Sequence, residues 1–186
     1  MSISAKIIAD SRCLITGQRI TTMQLRYPRI IHAEFMTHRL FSRNASSSRA
    51  VPVAKLIEEA RYNTAMPVRF GANQKGMQDK GGDYDAPIHG LLYEYSEEGD
   101  APVGISPKDA WIYAANEAAD IAELFDKAGY HKQIANRLLE PFTHINVVVT
   151  ATEWENFFDL RAHPDAQPEI QALACAMRDV LYESTP

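Results

Sequence analysis

The sequence predicts an α+β fold in a single domain. Two short alternating runs near the N-terminus suggest strands, and long apolar stripes at helical spacing lie in residues 107–125 and 168–181. There is no internal repeat and no linker-like composition to divide the chain. With 186 residues, 46% of them apolar and 23% charged, the chain has the size and mixture of one globular domain. Such a domain buries roughly 70% of its unfolded surface.

From Ile3 to about Tyr27, the runs Lys6-Ile7-Ile8 and Ile20 to Leu25, separated by Gly17, predict two short strands and a turn. Pro28 can begin a helix, on which Ile30, Ile31, Glu34, Phe35 and His38 would share one stripe. A polar run from Ser42 to Arg49 follows, then a helix from Pro52 to about Tyr62. Residues 63–106 are irregular and hold seven of the nine glycines, which predicts long loops with little regular structure.

Ser106-Pro107-Lys108-Asp109 reads as a helix cap with Pro at the first helical position. Trp111, Ala114, Ala115, Ala118, Ile121, Ala122 and Phe125 then form an apolar stripe that ends at Gly129. His131 to Glu140 suggests another helix and Asn146 to Thr150 a buried strand. Thr152-Glu153-Trp154-Glu155 has the spacing of a capping box for a short helix toward Arg161. The last helix starts at Pro168 and places Ile170, Leu173, Ala174, Met177, Val180 and Leu181 on its buried face.

Composition excludes several classes of function. A net charge of -5 supplies no general attraction for a nucleic-acid backbone, so a polymer partner is not expected. No apolar run reaches 18 residues and the first residues lack the pattern of a signal peptide, so no membrane span and a cytoplasmic location are expected. Cys13 and Cys175 are far apart and outside any CxxC spacing, and the six histidines show no zinc-ligand pattern; no metal site is expected. Ser-His-Asp, P-loop, GxGxxG and HExxH patterns are absent as well.

The run Ser42 to Arg49 combines two arginines with small hydroxyl and amide side chains ahead of a helix, a setting that favours an anion such as phosphate. A solvated Ser-rich loop fits the same composition. Glu34 and His38 fall four apart on an inward stripe and need partners if buried; they can satisfy each other or serve a site. Arg137 and Arg161 lie beside apolar residues, where an arginine either meets a planar or anionic partner or lays its stem along the core.

The stretch Thr37-His38-Arg39-Leu40-Phe41-Ser42-Arg43-Asn44-Ala45-Ser46-Ser47-Ser48-Arg49 resembles the signature of the flavin-dependent thymidylate synthases, approximately RHRxxSxNxxSxR. Residues 132–141, 153–161 and 166–170 are similar to the C-terminal half of that family, and Pro28-Arg29 precedes the signature as it does there. The resemblance implies the fold of that family, a small mixed or antiparallel sheet with packed helices, and a homotetramer with active sites shared between subunits. It also implies FAD, NADPH, methylenetetrahydrofolate and a pyrimidine deoxynucleoside monophosphate, with dUMP methylated to dTMP. Carried over by position, His38, Arg39 and Asn156 contact FAD, while Glu34, Ser47, Ser48 and Arg49 lie on the nucleotide. Arg137 meets the phosphate, and Arg161 faces the pyrimidine ring as the catalytic cation.

The chain also departs from the family pattern. Thr37, Glu34 and Ala45 stand where Arg, Gln and Glu are common, and Thr150 and Thr152 replace an Asn and an Arg that help bind FAD. A carboxylate at 34 can accept from an exocyclic amino group. This keeps open a sister enzyme that methylates or hydroxymethylates another pyrimidine nucleotide such as dCMP. A non-catalytic nucleotide-binding protein is the reading from a different class.

Overall fold

The computed structural model describes residues 3–76, 82–94 and 99–186. Strand β1 (Ser4–Arg12) and strand β2 (Arg19–Pro28) form a hairpin, as the alternation predicts. Its turn holds Gly17 at φ 72, a left-handed conformation that glycine adopts without steric cost. Strand β3 (Ser42–Ala45) and strand β6 (His144–Ala151) complete an antiparallel sheet in the order β1-β2-β6-β3. One face of the two central strands is apolar: Met23, Leu25 and Tyr27 oppose Val149, Val147 and Ile145, all buried. Period-two alternation places these six side chains together.

Helix α1 (His32–Phe35) is short, and helix α5 (Glu155–Arg161) and helix α6 (Pro168–Glu183) bring Phe35, Phe157, Phe158, Ile170, Leu173 and Met177 onto that face. Arg19 ties the C-terminal end of α6 to the hairpin. Its guanidinium binds the Asp10 carboxylate and donates to the carbonyl oxygens of Leu181 at 3.0 Å and Ser184 at 3.1 Å. A second cluster joins helix α2 (Val53–Tyr62) to helix α3 (Pro107–Lys127) through Leu56, Ala60, Ala119, Ala122 and Leu139. Ser106 caps α3, accepting from the Asp109 backbone N–H at 3.1 Å, and Gly129 follows its end at φ 81. Trp111 fixes α3 to the preceding loop by donating to the Ala65 carbonyl at 2.9 Å.

Several expectations are corrected. Pro28 ends β2 instead of opening a helix; a 3-10 turn (Arg29–Ile31) and α1 follow, and the helix stops at Phe35, before His38. The Thr37 hydroxyl takes the Glu34 carbonyl at 2.7 Å, a local bond that competes with helix propagation. Residues 42–49 are not one loop: Ser42–Ala45 is an edge strand on β6 and Ser48–Ala50 a 3-10 turn.

The expected loops of 63–106 contain a hairpin, strand β4 (Ile88–Glu94) against strand β5 (Ala101–Ile105). Residues 77–81 and 95–98 of that expectation lie outside the described residues. The apolar stripe on α3 is only partly internal, since Ala115 and Ala122 are buried but Ala114 and Ile121 are exposed, while Ala119, outside the stripe, is buried. Residues 131–140 divide between helix α4 (Lys132–Ala135) and a 3-10 helix (Asn136–Phe142). The capping box does not form: α5 has Trp154 at its N-cap position, with no side-chain cap.

Cys13 and Cys175 are free thiols. Among the described residues no helix is long and apolar enough to cross a membrane, and no group of three or more His, Cys, Asp or Glu is placed to hold a metal ion.

Candidate active site

Two elements with their own packing reasons meet at the centre of the site. Ile31 and Phe35 are buried and anchor the turn that bears Glu34 and leads to His38. Phe157 and Phe158 anchor α5, and Arg161 is its last residue. Docking the two brings the Arg161 guanidinium between Glu34 and His38. Its Nε donates to His38 Nε2 at 3.0 Å, and its terminal nitrogen forms an ion pair with the Glu34 carboxylate. Each of the two residues left open by the sequence is thus partnered by Arg161.

To accept from Arg161, His38 Nε2 must be unprotonated, so the ring is neutral with its proton on Nδ1. Burial holds the His38 pKa below its ordinary value, and the Arg161 and Arg43 charges lower it further. His32, which shares a 2.9 Å hydrogen bond with the Tyr27 hydroxyl, is lowered by burial and then by Arg29 and Arg43. Both imidazoles take up protons more readily in the unfolded chain than in the fold. Stability is therefore expected to be flat above about pH 6.5, the unfolded value, and to fall as pH drops through it. Urea unfolding between pH 5 and 8 checks this; a midpoint that rises on acidification contradicts it.

The His38 ring stands edge-on to Phe157, with centroids 4.8 Å apart and planes at 89°. It opens onto a cleft of about 530 Å³ that Arg39, Trp154, Asn156 and Phe158 also line. All three residues that the resemblance assigns to the flavin, His38, Arg39 and Asn156, therefore border one cavity. Its wall is aromatic: Phe41 lies 4.8 Å from Trp154, and Trp154 is stacked on Phe158 at 15°. The buried Trp154 indole N–H has no hydrogen-bond partner. Thr152 lines the cleft, whereas Thr150 lies within the sheet and shares a 2.8 Å bond with the Thr22 hydroxyl.

A second group forms around Glu140. Ser48 Oγ donates to its carboxylate at 2.6 Å and Arg137 at 2.7 Å. Asn136, fully buried, donates to the carbonyls of Ser48 at 2.7 Å and Val51 at 3.0 Å and so fixes the turn at 48–50 against 136–142. Burial opposes the charge on Glu140, but the bonds from Ser48 and Arg137 and the nearby charges of Arg137 and Arg29 outweigh it, and its pKa lies below the ordinary value. Arg29 has a buried Nε without a partner, while its backbone N–H donates to the Thr143 carbonyl at 3.0 Å.

The structure thus brings together Glu34, His38 and Arg161 by contact, His38, Arg39 and Asn156 around a cleft, and Ser48 with Arg137 through Glu140. Ser47 and Arg49 are exposed beside Ser48. Sequence reasoning missed Arg29 and Glu140 as members of the site. The three-residue spacing of Arg137 and Glu140 was the available signal.

Residues 18–186 match the family model described as thymidylate synthase complementing protein. No curated protein matches the chain by sequence. Among solved structures, the chain is similar to the UMP/dUMP methylase PolB from Streptomyces cacaoi bound with 5-Br dUMP, at a TM-score of 0.64 and 17% identity over 97% of this chain and 90% of that one. The same enzyme bound with 5-Br UMP matches with a TM-score of 0.61 and 17% identity, over 97% of this chain and 89% of the other. At this identity the likeness is one of fold. The family match spans far more than half of the chain, and the protein therefore belongs to the thymidylate synthase complementing protein family, the flavin-dependent thymidylate synthases that its residues 37–49 resemble.

Proposed function

We propose that the protein methylates a pyrimidine deoxynucleotide at C5, converting dUMP to dTMP with methylenetetrahydrofolate as carbon donor and NADPH as reductant. The observation that carries the reading is the fixed cation: Arg161 is held on one side by Glu34 and on the other by neutral His38, whose ring lines an aromatic cleft. A guanidinium already oriented before reaction stabilises charge that develops on a ring nitrogen or oxygen, without reorganisation at the moment of chemistry. In this reading Arg161 faces the pyrimidine and favours negative charge on the ring as its C5 becomes nucleophilic.

The cleft residues fit FAD. An aromatic wall suits a flat ring system, Arg39 suits a phosphate, and the Asn156 amide both donates and accepts. When bound, FAD supplies the hydride chemistry that these side chains lack. His38, Arg39 and Asn156 would hold it. Ser47, Ser48 and Arg49 would hold the nucleotide, with Arg137 on its phosphate.

A homotetramer with shared sites is part of the proposal. The related structures, whose names give UMP/dUMP methylase and bound 5-Br dUMP or 5-Br UMP, support a pyrimidine nucleotide as substrate.

The test is to add FAD to the purified protein, record its visible spectrum before and after NADPH, and weigh the products formed from dUMP or dCMP with methylenetetrahydrofolate. A bound flavin bleached by NADPH and a methylated product support the reading. If no flavin binds even with nucleotide present, catalysis fails at its cofactor, and a non-catalytic nucleotide-binding protein remains.

The Glu34 carboxylate beside Arg161 favours a second reading, in which the base is cytosine and its amino group donates to Glu34. Glu34→Gln is then expected to lower the ratio of kcat/KM for dCMP over dUMP by about tenfold or more, because a site built to accept from a substrate amino group discriminates against the analogue that lacks it. An unchanged ratio eliminates this reading, and methylated or hydroxymethylated dCMP among the products supports it.

A further inference from the structure

Glu140 occupies donors that the functional reading gives to the nucleotide: Arg137 on its phosphate, and Ser48 beside it. Its carboxylate accepts from Ser48 Oγ at 2.6 Å and from Arg137 at 2.7 Å. Charged or strongly polar donors of this kind favour any anion placed among them, and here the chain supplies one of its own. Buried Asn136 holds the turn that bears Ser48 in place, so Ser48 remains in position when the carboxylate leaves.

We propose that Glu140 is a built-in competitor in the phosphate subsite: it keeps Ser48 and Arg137 satisfied in the empty protein, and a nucleotide 5′-phosphate takes these donors by displacing its carboxylate. The proposal rests on the reading that puts Ser48 on the nucleotide and Arg137 on its phosphate, and adds that Ser48 also serves the phosphate. Two anions in one subsite repel, so affinity for the phosphate is reduced by the presence of Glu140. This keeps the pocket ordered without nucleotide and makes it select for a phosphate charged enough to displace a carboxylate.

The test is titration calorimetry of the purified protein with dUMP, dCMP, their nucleosides and inorganic phosphate, using the wild type, Glu140→Gln, Glu140→Asp and Arg137→Ala. The glutamine variant keeps an acceptor for Ser48 and Arg137 but removes the competing charge. It is expected to bind the preferred nucleotide and inorganic phosphate about tenfold more tightly, with nucleoside binding unchanged. If Glu140→Gln does not fold, judged by its thermal transition, the aspartate variant provides the test: its shorter arm reaches the donors less well, so its nucleotide binding is expected to be tighter than that of the wild type.

Equal or weaker nucleotide binding by the folded glutamine variant overturns the proposal and leaves Glu140 as a support for Arg137. Arg137→Ala separates the two levels. If it binds nucleotide as well as the wild type does, the phosphate assignment itself fails. If it loses binding while Glu140→Gln gains none, that assignment stands and only the competitor falls.

Discussion

Arg161→Ala is expected to lower kcat/KM for the pyrimidine nucleotide by about 10²- to 10³-fold, the loss found when a single preorganised donor is removed from a charge-stabilising site. Nothing else within the group replaces it, because Glu34 and His38 both act as its acceptors. Arg161→Lys is expected to recover little. An ammonium is a point charge and does not reproduce a planar guanidinium that meets His38 through one nitrogen and Glu34 through another. The fold should tolerate both changes, since the Arg161 and Glu34 side chains are 24% and 28% exposed and water can solvate what the substitution leaves behind. Initial rates of product formation, with the thermal transition measured in parallel, check this. An alanine variant within about threefold of wild-type kcat/KM removes Arg161 from the chemistry.

Phe157→Ala is expected to destabilise the protein by about 3–5 kcal/mol, the range for truncating a buried aromatic side chain. Phe157 is 2% exposed and is the hub of an aromatic cluster: its ring lies 5.9 Å from Phe35, 5.2 Å from Phe41, 5.8 Å from Phe158 and 4.8 Å from His38. Removing it opens a cavity between α5 and the turn at α1, the two elements whose docking aligns Arg161 with Glu34 and His38. Phe157→Leu keeps most of the volume and should cost less in stability, but it removes the edge-on contact that sets the His38 ring. Urea unfolding gives the stability change, and a loss under about 1 kcal/mol for the alanine variant contradicts the packing account.

Local patterns carried much of the fold into the sequence. The β1–β2 hairpin, the Ser106 cap of α3 and the buried stripe of α6 each depend on neighbours within a few residues, and each is found. Patterns failed where a local preference met a competing bond or a distant partner. The helix expected after Pro28 ends at Phe35, with the Thr37 hydroxyl bonded to the Glu34 carbonyl. Ser42–Ala45 lacks apolar alternation yet becomes a strand, because β6 offers it backbone partners about a hundred residues away. The glycines of 63–106 concealed the β4–β5 pair. Gly104 belongs to that hairpin, and a Cβ there would fall 2.8 Å from the His89 ring, so what read as a loop signal marks a close approach.

By itself the sequence carried the α+β class and the family signature, and the resemblance built on that signature proposed the site residues: Glu34, His38, Arg39, Ser47, Ser48, Arg49, Arg137, Asn156 and Arg161. Only the tertiary structure decided how these groups are paired. His38 and Arg161 are 123 positions apart, Glu34 and Arg161 are 127, and Ser48 and Glu140 are 92. Periodicity reports which face of an element is apolar, but the partner of a charge depends on how two such faces dock. Here the docking of α5 against the α1 turn gave Arg161 to Glu34 and His38, and the packing of 136–142 against 48–50 gave Ser48 to the carboxylate that Arg137 pairs with three positions away.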